Sequence, residues 1–120
     1  MFLSQEILKR RAIVAVGCYD VLSAMIAEKC GFELIQVSGY GASASYLGYP
    51  DRGYLQIGDT IEITRRIAQR VGIPVMTDID TGGGSPLTAA RWTELAILAG
   101  VAGLNIEDQQ DPKRCGHMAG

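Results

Sequence analysis

The 120-residue sequence predicts an α/β fold in which four parallel strands alternate with helices. Short apolar runs, which are typical of strands buried on both faces, alternate with longer stretches whose apolar residues recur at helical spacing. The segments between the apolar runs are too long for hairpin turns, which antiparallel neighbours would need. Together these observations favour four successive β/α units.

The first half of the chain contains the first two units. A helix at residues 4–11 opens on a serine N-cap and ends in three basic residues, and a strand at residues 12–16 follows it. Asp20 is expected to cap the next helix, at residues 21–29, and the second strand is expected at residues 34–38. The apolar residues that recur at helical spacing in the capped helix are Val21, Leu22, Met25 and Ile26.

The second half continues the pattern after a long loop. Residues 39–53 are rich in small residues and predict a loop with one short helix at residues 42–47. The remaining elements are a helix, a strand, a helix and a strand, at residues 58–71, 74–78, 86–99 and 103–107. The residues expected to be buried on these two helices are Ile61, Ile63, Ile67 and Ala68, and Ala89, Trp92, Leu95 and Ala96.

Two architectures bury parallel strands in this way, the open doubly wound sheet and the (β/α)₈ barrel. The dinucleotide-binding form of the open sheet carries GxGxxG after its first strand, whereas this chain has GCYD there. The barrel places catalytic residues at the carboxyl ends of several strands, and the polar residues of this sequence collect at those ends. The chain is therefore predicted to supply the first four β/α units of a (β/α)₈ barrel.

The composition is that of a soluble globular protein, with 48% hydrophobic and 20% charged residues. A formal net charge of -2 and scattered basic residues argue against nucleic-acid binding. No apolar run approaches the roughly 20 residues of a membrane helix, so we expect a cytoplasmic protein with no membrane partner. The three cysteines are widely spaced, which favours reduced thiols, and we expect Cys18 and Cys30 to be packed in the interior.

Acidic residues follow the third and fourth strands. Asp78 and Asp80 lie two residues apart on a segment expected to remain extended, so both carboxylates would leave the same face. On the fourth strand Asn105 and Glu107 are likewise two residues apart, so their side chains would leave the same face. Carboxylates that converge at one rim repel each other, and a hard cation resolves the repulsion. We therefore predict a Mg²⁺ site, with Mn²⁺ as an alternative ion; the other interpretation is that these acids are helix caps or solvated loop charges.

Three further segments carry residues suited to chemistry. Ser38, Gly39 and Tyr40 end the second strand, where backbone N–H groups at a helix start suit a carboxylate or phosphate. Asp51, in the YPDRG loop, is either a turn former or a further acid of the site. Near the end of the chain, one cysteine is flanked by basic residues that stabilise a thiolate, and we predict that it donates and accepts protons. This run consists of Lys113, Arg114, Cys115, Gly116 and His117.

The motifs that carry these residues resemble the isocitrate lyase and phosphoenolpyruvate mutase superfamily, and within it the 2-methylisocitrate lyase branch. The resemblance covers almost the whole chain and is most specific in its last part. The motifs are GCYDVLSA, VSGYGASASYLGYPD, TDIDTGGG, and GLNIEDQ followed by PKRCGH. The resemblance implies that residues 1–120 are the N-terminal half of a phosphoenolpyruvate-binding barrel domain. It also implies a homo-oligomer, which is a tetramer in the family.

The resemblance implies a role for each candidate residue. Asp78 would bind Mg²⁺ directly, and the residues holding the waters of the ion would be Asp51, Asp80 and Glu107. The substrate, a small carboxylic acid, would be bound by Tyr19, Ser38, Gly39, Tyr40, Asp51 and Asn105. The catalytic acid or base would be Cys115 on a gating loop, together with Lys113, Arg114 and His117.

The implied reaction is cleavage of a C–C bond in a 2-hydroxy acid similar to 2-methylisocitrate. The products would be a 2-oxo acid, pyruvate or glyoxylate, and a dicarboxylate such as succinate. Asn105 departs from the His that is typical of this branch, and Tyr40 stands where a small residue is common.

Three alternatives to this lyase activity remain open. A phosphonomutase similar to carboxyvinyl-carboxyphosphonate phosphorylmutase and an oxaloacetate decarboxylase belong to the same superfamily, and such enzymes usually lack the KRCGH run. The third alternative is an inactive fragment, whose open sheet edge would be covered by a partner.

Overall fold

The structure is a computed structural model that describes residue 9 and residues 12–110, 112–116 and 118. The strands are β1 (Ala15–Cys18), β2 (Leu34–Val37), β3 (Val75–Asp78) and β4 (Gly103–Asn105). The helices are α1 (Val21–Lys29), α2 (Gly39–Leu47), α3 (Ile57–Ala68) and α4 (Pro86–Leu98). Apart from Lys9, the helix predicted at residues 4–11 lies outside the described residues.

The four strands form one sheet in which all neighbours are parallel, in the order β1-β2-β3-β4. The register places Gly17 beside Gln36 and Gln36 beside Met76. It also pairs Asp78, the last residue of β3, with Asn105, the last residue of β4. The predicted α/β fold with four parallel strands is therefore confirmed, and the carboxyl ends of neighbouring strands lie at one edge of the sheet.

One face of the sheet is buried under α1 and α3. The buried residues that form this core are Cys18, Ile35, Val37 and Val75 from the strands and Ala24, Ala27 and Ile67 from the helices. A second apolar cluster, formed by Ile61, Ala96 and Ala99, joins α3 to α4. The opposite face of the sheet carries Gly17, Gln36, Asp78 and Asn105 toward a cavity. The buried face thus holds the strands in position while the other face remains available for chemistry.

The helix α1 begins as predicted, because the Asp20 carboxylate accepts a hydrogen bond of 2.7 Å from the Ser23 backbone N–H. Two of its large apolar residues, however, face outward: Leu22 is 65% exposed and Ile26 53%, whereas Val21 packs against the core. Ala24 and Ala27 occupy the side that faces the sheet. Small side chains let the helix backbone lie close to the strands, so the apolar periodicity located the helix without identifying its buried face.

The two cysteines near α1 differ from each other in burial. Cys18 is buried as predicted, and this burial raises the pKa of its thiol. Cys30 is exposed, which contradicts the prediction. It is the C-cap of α1, and the turn that begins at Gly31, with φ of +86°, leads the chain away from the core. The position of Cys30 at the end of the helix therefore determines its exposure.

The structure differs from the predicted boundaries in two informative places. The helix expected at residues 42–47 starts three residues earlier, because Ser38 caps it and accepts a 3.1 Å hydrogen bond from the Gly41 N–H. The strands β3 and β4 stop at Asp78 and Asn105, short of the predicted extensions to Asp80 and Glu107. Both differences concern the edge at which the polar residues collect. Within the described part of the chain, no helix combines the length and hydrophobicity that crossing a membrane requires.

Two buried hydroxyl groups connect α3 to β3, and they generate a stability prediction. The Thr64 and Thr77 hydroxyls lie 2.8 Å apart, and the Thr64 hydroxyl also donates to the Thr60 carbonyl at 2.7 Å. Both side chains are fully buried. In Thr64→Val the Thr77 hydroxyl loses its best acceptor, so we expect a loss of about 1–3 kcal/mol in the free energy of unfolding. In Thr77→Val the Thr64 hydroxyl still donates to the Thr60 carbonyl, so the loss in the free energy of unfolding should be smaller.

Urea unfolding followed by circular dichroism measures both single variants and the double variant. The double variant should be no less stable than Thr64→Val, because it leaves no hydroxyl unpaired. Equal losses for the two single variants would contradict this account of the contact.

Candidate active site at the carboxyl ends of the strands

A cavity of about 650 Å³ opens over the carboxyl ends of the strands. It collects residues that are distant in the sequence and that the sequence analysis singled out separately. Those lining it are Ser38, Gly39, Tyr40, Asp51, Asp78, Asn105, Glu107 and Cys115. Tyr19, another predicted substrate-binding residue, instead lines a neighbouring groove with Asp20 and Tyr46. The structure therefore brings most of the predicted site together at one edge of the sheet.

A lysine ammonium lies among the acidic residues at this edge. Lys113 Nζ is 2.8 Å from Asp51 Oδ1 and forms a second ion pair with Asp80 Oδ1. The side chain of Lys113 is only 3% exposed, and those of Asp51 and Asp80 are 11% and 19% exposed. Ion pairs sheltered from water in this way are screened far less than pairs on the surface. The three side chains thus form the electrostatic centre of the site.

The Asp80 carboxylate reaches this centre by a turn and not by continuation of β3. Asp80 has φ of +48°, in the left-handed region, and its N–H donates to Asp78 Oδ1 at 2.9 Å. The Glu107 N–H in turn donates to the Asp80 carbonyl at 2.7 Å. The predicted convergence of these acids is therefore observed, but the explanation by strand parity was wrong. Backbone strain of this kind in a non-glycine residue is common at functional sites.

The glycines that follow Asp80 make the turn possible. Gly82 has φ of +75°, and a Cβ atom there would lie 2.8 Å from the Cβ of Ala89 on α4. A larger residue would force the turn and the start of α4 apart. The glycine run after β3 thus fixes the distance between the acids and α4.

The two remaining acids carry negative charge that Lys113 leaves unbalanced. Burial raises the pKa of Asp78, and the nearby charges of Asp80 and Asp51 raise it further. Burial likewise raises the pKa of Glu107, with the same carboxylates contributing. Burial alone would lower the pKa of Lys113, but hydrogen bonds to Asp51 and Asp80 outweigh it and raise the pKa above its ordinary value. The site as a whole therefore favours an additional positive charge.

The donor chemistry of these acids suits a hard divalent cation. Carboxylate oxygens are preferred ligands of Mg²⁺, and the Lys113 ammonium already acts as a stand-in cation beside them. Among the described residues, however, no three His, Cys, Asp or Glu side chains are already arranged around one ion position. These residues therefore have the ligand chemistry that Mg²⁺ prefers. The assignment of Asp51, Asp78, Asp80 and Glu107 to a metal site remains a prediction.

The N-terminus of α2 faces the same acids. A Cβ atom on Gly39 would lie 3.3 Å from Asp78 Oδ2 and 3.5 Å from Asp51 Oδ2. The first backbone N–H groups of a helix have no partner within the helix, and its dipole is positive at this end. Gly39 and Tyr40 therefore direct N–H groups toward the edge of the sheet at which an anion would also meet the acids. The Ser38 hydroxyl caps the helix and retains its own hydrogen for a further acceptor.

The segment that carries Cys115 is attached to this edge by backbone and side-chain contacts. The Cys115 N–H donates to the Asp51 carbonyl at 3.3 Å, and the thiol is buried at the cavity. The Arg114 N–H donates to Gln109 Oε1 at 3.0 Å, and Gln109 Nε2 donates to Glu107 Oε2 at 2.6 Å. The thiol and the acids are therefore held in one connected network.

One of the basic residues around Cys115, Lys113, has acidic partners that the sequence analysis did not identify. Lys113 was expected to stabilise the thiolate of its neighbour, but its ammonium pairs with Asp51 and Asp80. Arg114 is exposed, and His117 lies outside the described residues. The sequence analysis missed the ion pairs of Lys113, although one available signal was the presence of four acids and a single nearby lysine. The predicted catalytic roles of Lys113, Arg114, Cys115 and His117 stay predictions.

Two substitutions in the acidic cluster should change stability in opposite directions. Asp78 has a raised pKa in the folded state, so its ionised form destabilises that state at pH values above this pKa. Asp78→Asn should therefore increase the free energy of unfolding at pH 7, and the gain should disappear as the pH falls below the ordinary value of about 3.8. Asp51→Asn, the matched control, removes a partner of buried Lys113 and should cost about 1–3 kcal/mol at pH 7.

Chemical denaturation of both variants at pH 7 and at pH 3 measures the effect. A stability loss for Asp78→Asn at pH 7 would show that the charge of Asp78 is already balanced in the folded protein.

Comparison with known proteins shows a single family over nearly the whole chain. The sequence profile described as phosphoenolpyruvate phosphomutase matches residues 4–119. The chain is 46% identical over 110 residues to the petal death protein of Dianthus caryophyllus, which covers 91% of this chain and 35% of that protein. It is 39% identical to 2,3-dimethylmalate lyase of Eubacterium barkeri and 39% identical to 2-methylisocitrate lyase of Escherichia coli. These matches cover 92% and 91% of this chain and 38% and 37% of the relatives.

Solved structures give the same result for the fold. A crystal structure of 2,3-dimethylmalate lyase, a PEP mutase/isocitrate lyase superfamily member, superposes with a TM-score of 0.89 at 40% identity, covering 98% of this chain and 40% of the other. Phosphonopyruvate hydrolase in complex with oxalate and Mg²⁺ superposes with a TM-score of 0.83 at 35% identity, covering 88% and 37%. The chain therefore spans well under half the length of these relatives. The predicted fold class, four β/α units of a (β/α)₈ barrel, is confirmed.

Proposed function

The chain belongs to the phosphoenolpyruvate phosphomutase family, and we propose that it carries the metal-binding and proton-transfer part of a carbon–carbon lyase active site. The membership of the wider superfamily that its motifs predicted is confirmed. The observation that carries the proposal is the single cavity in which Cys115 meets Asp78, Glu107 and the N-terminus of α2. Residues 1–120 would form the N-terminal half of one barrel domain, and the remaining strands would supply the other substrate contacts.

The end of the cavity at α2 would bind a carboxylate of the substrate. The N–H groups of Gly39 and Tyr40 lie at the positive end of a nine-residue helix, where anions are stabilised. The Ser38 hydroxyl can donate one further hydrogen bond. Two related structures contain small dicarboxylates or their analogues, namely oxalate and 3,3-difluorooxalacetate. These ligands support a small 2-oxo or 2-hydroxy acid as the substrate class.

The acids of the cavity would hold Mg²⁺ through Asp78, with Asp51, Asp80 and Glu107 binding its waters. When bound, Mg²⁺ supplies positive charge that stabilises negative charge developing on the substrate oxygens. The raised pKa values of Asp78 and Glu107 support this assignment, because buried carboxylates gain most from an added cation. The related phosphonopyruvate hydrolase contains Mg²⁺ together with oxalate.

Cys115 would transfer the proton that completes the cleavage. In a 2-hydroxy acid, loss of the hydroxyl proton and rupture of the adjacent C–C bond leave a 2-oxo acid and a carbanion beside a carboxylate. The Cys115 thiol, buried at the same cavity, would protonate that carbon; water would take up the hydroxyl proton and return a proton to the thiolate, so the step is balanced. The backbone bond from Cys115 to Asp51 holds the thiol near the acids.

A 2-methylisocitrate-like acid is the substrate that we favour. Relatives named for 2-methylisocitrate and 2,3-dimethylmalate support a lyase that acts on branched 2-hydroxy acids. The alternative is chemistry at a C–P bond, as the family description and the related phosphonopyruvate hydrolase indicate. Cys115 favours the lyase over a phosphonomutase, because cleavage of a C–C bond leaves a carbon that must be protonated, whereas moving a phosphoryl group between carbon and oxygen does not. Hydrolysis of a C–P bond also leaves a carbon that takes a proton, so the choice between lyase and hydrolase depends on the substrate test.

Turnover by the full-length protein tests the proposed reaction. With Mg²⁺ and 2-methylisocitrate it should release pyruvate, whereas phosphonopyruvate and oxaloacetate serve as the substrates of the alternatives. Cys115→Ser should lower the rate of cleavage about 10²- to 10⁴-fold, because the hydroxyl is a far weaker acid, while Mg²⁺ binding stays unchanged. The control is Cys30→Ser, which removes an exposed thiol at the end of α1 and should leave the rate unchanged. Equal loss of metal binding and turnover in Cys115→Ser would contradict a proton-transfer role.

A pair of glycine substitutions tests the carboxylate end of the cavity. Gly39→Ala adds a methyl group 3.3 Å from Asp78 Oδ2 and should weaken Mg²⁺-dependent oxalate binding by about tenfold, a cost of about 1.4 kcal/mol. Gly58→Ala is the matched control, because it also lies in the first turn of a helix and its added atom would make an ordinary 3.6 Å contact with Trp92. Calorimetric titration with oxalate measures both. Equal affinities in the two variants would place the anion elsewhere.

A further inference from the structure

The Lys113 ammonium lies against two carboxylates of the acidic cluster. It contacts one oxygen of Asp51 and one of Asp80, and it lies 3.8 Å from the point where a Gly39 Cβ would be. The N-terminus of α2 is positive, so the ammonium is repelled by the helix and depends on the carboxylates for its stability. The two aspartates are also proposed above to hold the waters of Mg²⁺.

The same contact determines where the Cys115 segment lies. Lys113 and Cys115 are two residues apart, and a backbone hydrogen bond of 3.3 Å from the Cys115 N–H joins this segment to the Asp51 carbonyl. The buried Lys113 side chain adds an attachment to the Asp51 carboxylate. Any group that competes for the Asp51 and Asp80 carboxylates therefore also acts on the position of the thiol.

We propose that Lys113 is a positioning residue whose ammonium competes with the divalent cation for Asp51 and Asp80, so that metal binding and attachment of the Cys115 segment oppose each other. This inference rests on the proposed metal-dependent function. Two cations that share one carboxylate cluster repel each other. The effect is reciprocal: if Lys113 weakens metal binding by some factor, bound metal weakens the ion pairs of Lys113 by the same factor.

The competition gives the substrate a defined role. The Asp51, Asp78, Asp80 and Glu107 carboxylates carry four negative charges, and Lys113 with Mg²⁺ would supply three positive ones. A substrate carboxylate at the N-terminus of α2 adds negative charge next to both cations and reduces the repulsion between them. Attachment of the thiol segment in the presence of metal would then be favoured when an anionic substrate is bound, so that the thiol approaches the metal-loaded site together with a substrate.

Two measurements on the full-length protein test this proposal without using turnover. The first is the dissociation constant for Mg²⁺ alone, by calorimetry, in the wild type, Lys113→Met and the control Lys29→Met. Lys29 lies at the exposed end of α1, so its variant should bind Mg²⁺ as the wild type does. Lys113→Met should bind Mg²⁺ at least about tenfold more tightly, because a competing positive charge has been removed. Lys113→Gln, which keeps a polar group, should behave in the same way and replaces Lys113→Met if that variant fails to fold.

The second measurement is the rate at which iodoacetamide alkylates Cys115, followed by peptide mass spectrometry. Cys115 is 7% exposed. Mg²⁺ without substrate should accelerate its alkylation severalfold in the wild type, and added oxalate should reverse the acceleration. In Lys113→Met the alkylation should be fast with or without Mg²⁺. Exposed Cys30 provides the internal reference, and its rate should not respond to the ion.

The outcomes separate this inference from the proposed function. Tighter Mg²⁺ binding in Lys113→Met together with Mg²⁺-accelerated alkylation of the wild type supports the competition. Unchanged or weaker binding in Lys113→Met, or alkylation that Mg²⁺ slows or leaves unchanged, overturns it and leaves the metal-dependent lyase intact. Absence of Mg²⁺ binding in every variant overturns both.

Discussion

The crowding of carboxylates at one edge of a parallel sheet is the constraint on which the rest of the site depends. Asp78 and Glu107 have raised pKa values because burial and the neighbouring acids oppose their ionisation. The surrounding structure reduces this cost in two ways: Lys113 pairs with Asp51 and Asp80, and the positive end of α2 faces Asp78 and Asp51. A cluster of this kind lowers stability in exchange for chemistry, which is typical of functional sites.

The opposite face of the sheet supplies the rigidity that such a cluster needs. Strand residues pack there against α1 and α3, and the hydroxyl pair of Thr64 and Thr77 fixes β3 directly behind Asp78. The close approach of α1 through Ala24 and Ala27 leaves Leu22 and Ile26 on the outside. The apolar core therefore holds the backbone on which the acids are mounted, while the acids themselves are positioned by short turns.

The sequence was sufficient for the fold because parallel β/α units leave a repeated signal of short apolar runs and capped helices. The sequence also identified the acids, but it did not predict how Asp80 reaches the others. Asp80 has a left-handed backbone conformation, which interrupts the alternation of side chains on which strand parity depends. Lys113 was assigned to its neighbour in the chain, whereas its long side chain reaches acids that are distant in sequence. Contacts of this kind depend on tertiary distances, which the residue pattern does not contain.

The order of the strands in the sheet has a consequence for how the protein is made. Because β1 to β4 are neighbours in the same order as they occur in the chain, each unit can pack on its predecessor as the polypeptide leaves the ribosome. Asp51, Asp78 and Asp80 precede Lys113 in the chain, so these acids leave the ribosome before their lysine counter-ion does. Until Lys113 emerges, dissolved cations can balance the charge in its place, and the ionic composition of the cell becomes part of the folding environment of this site.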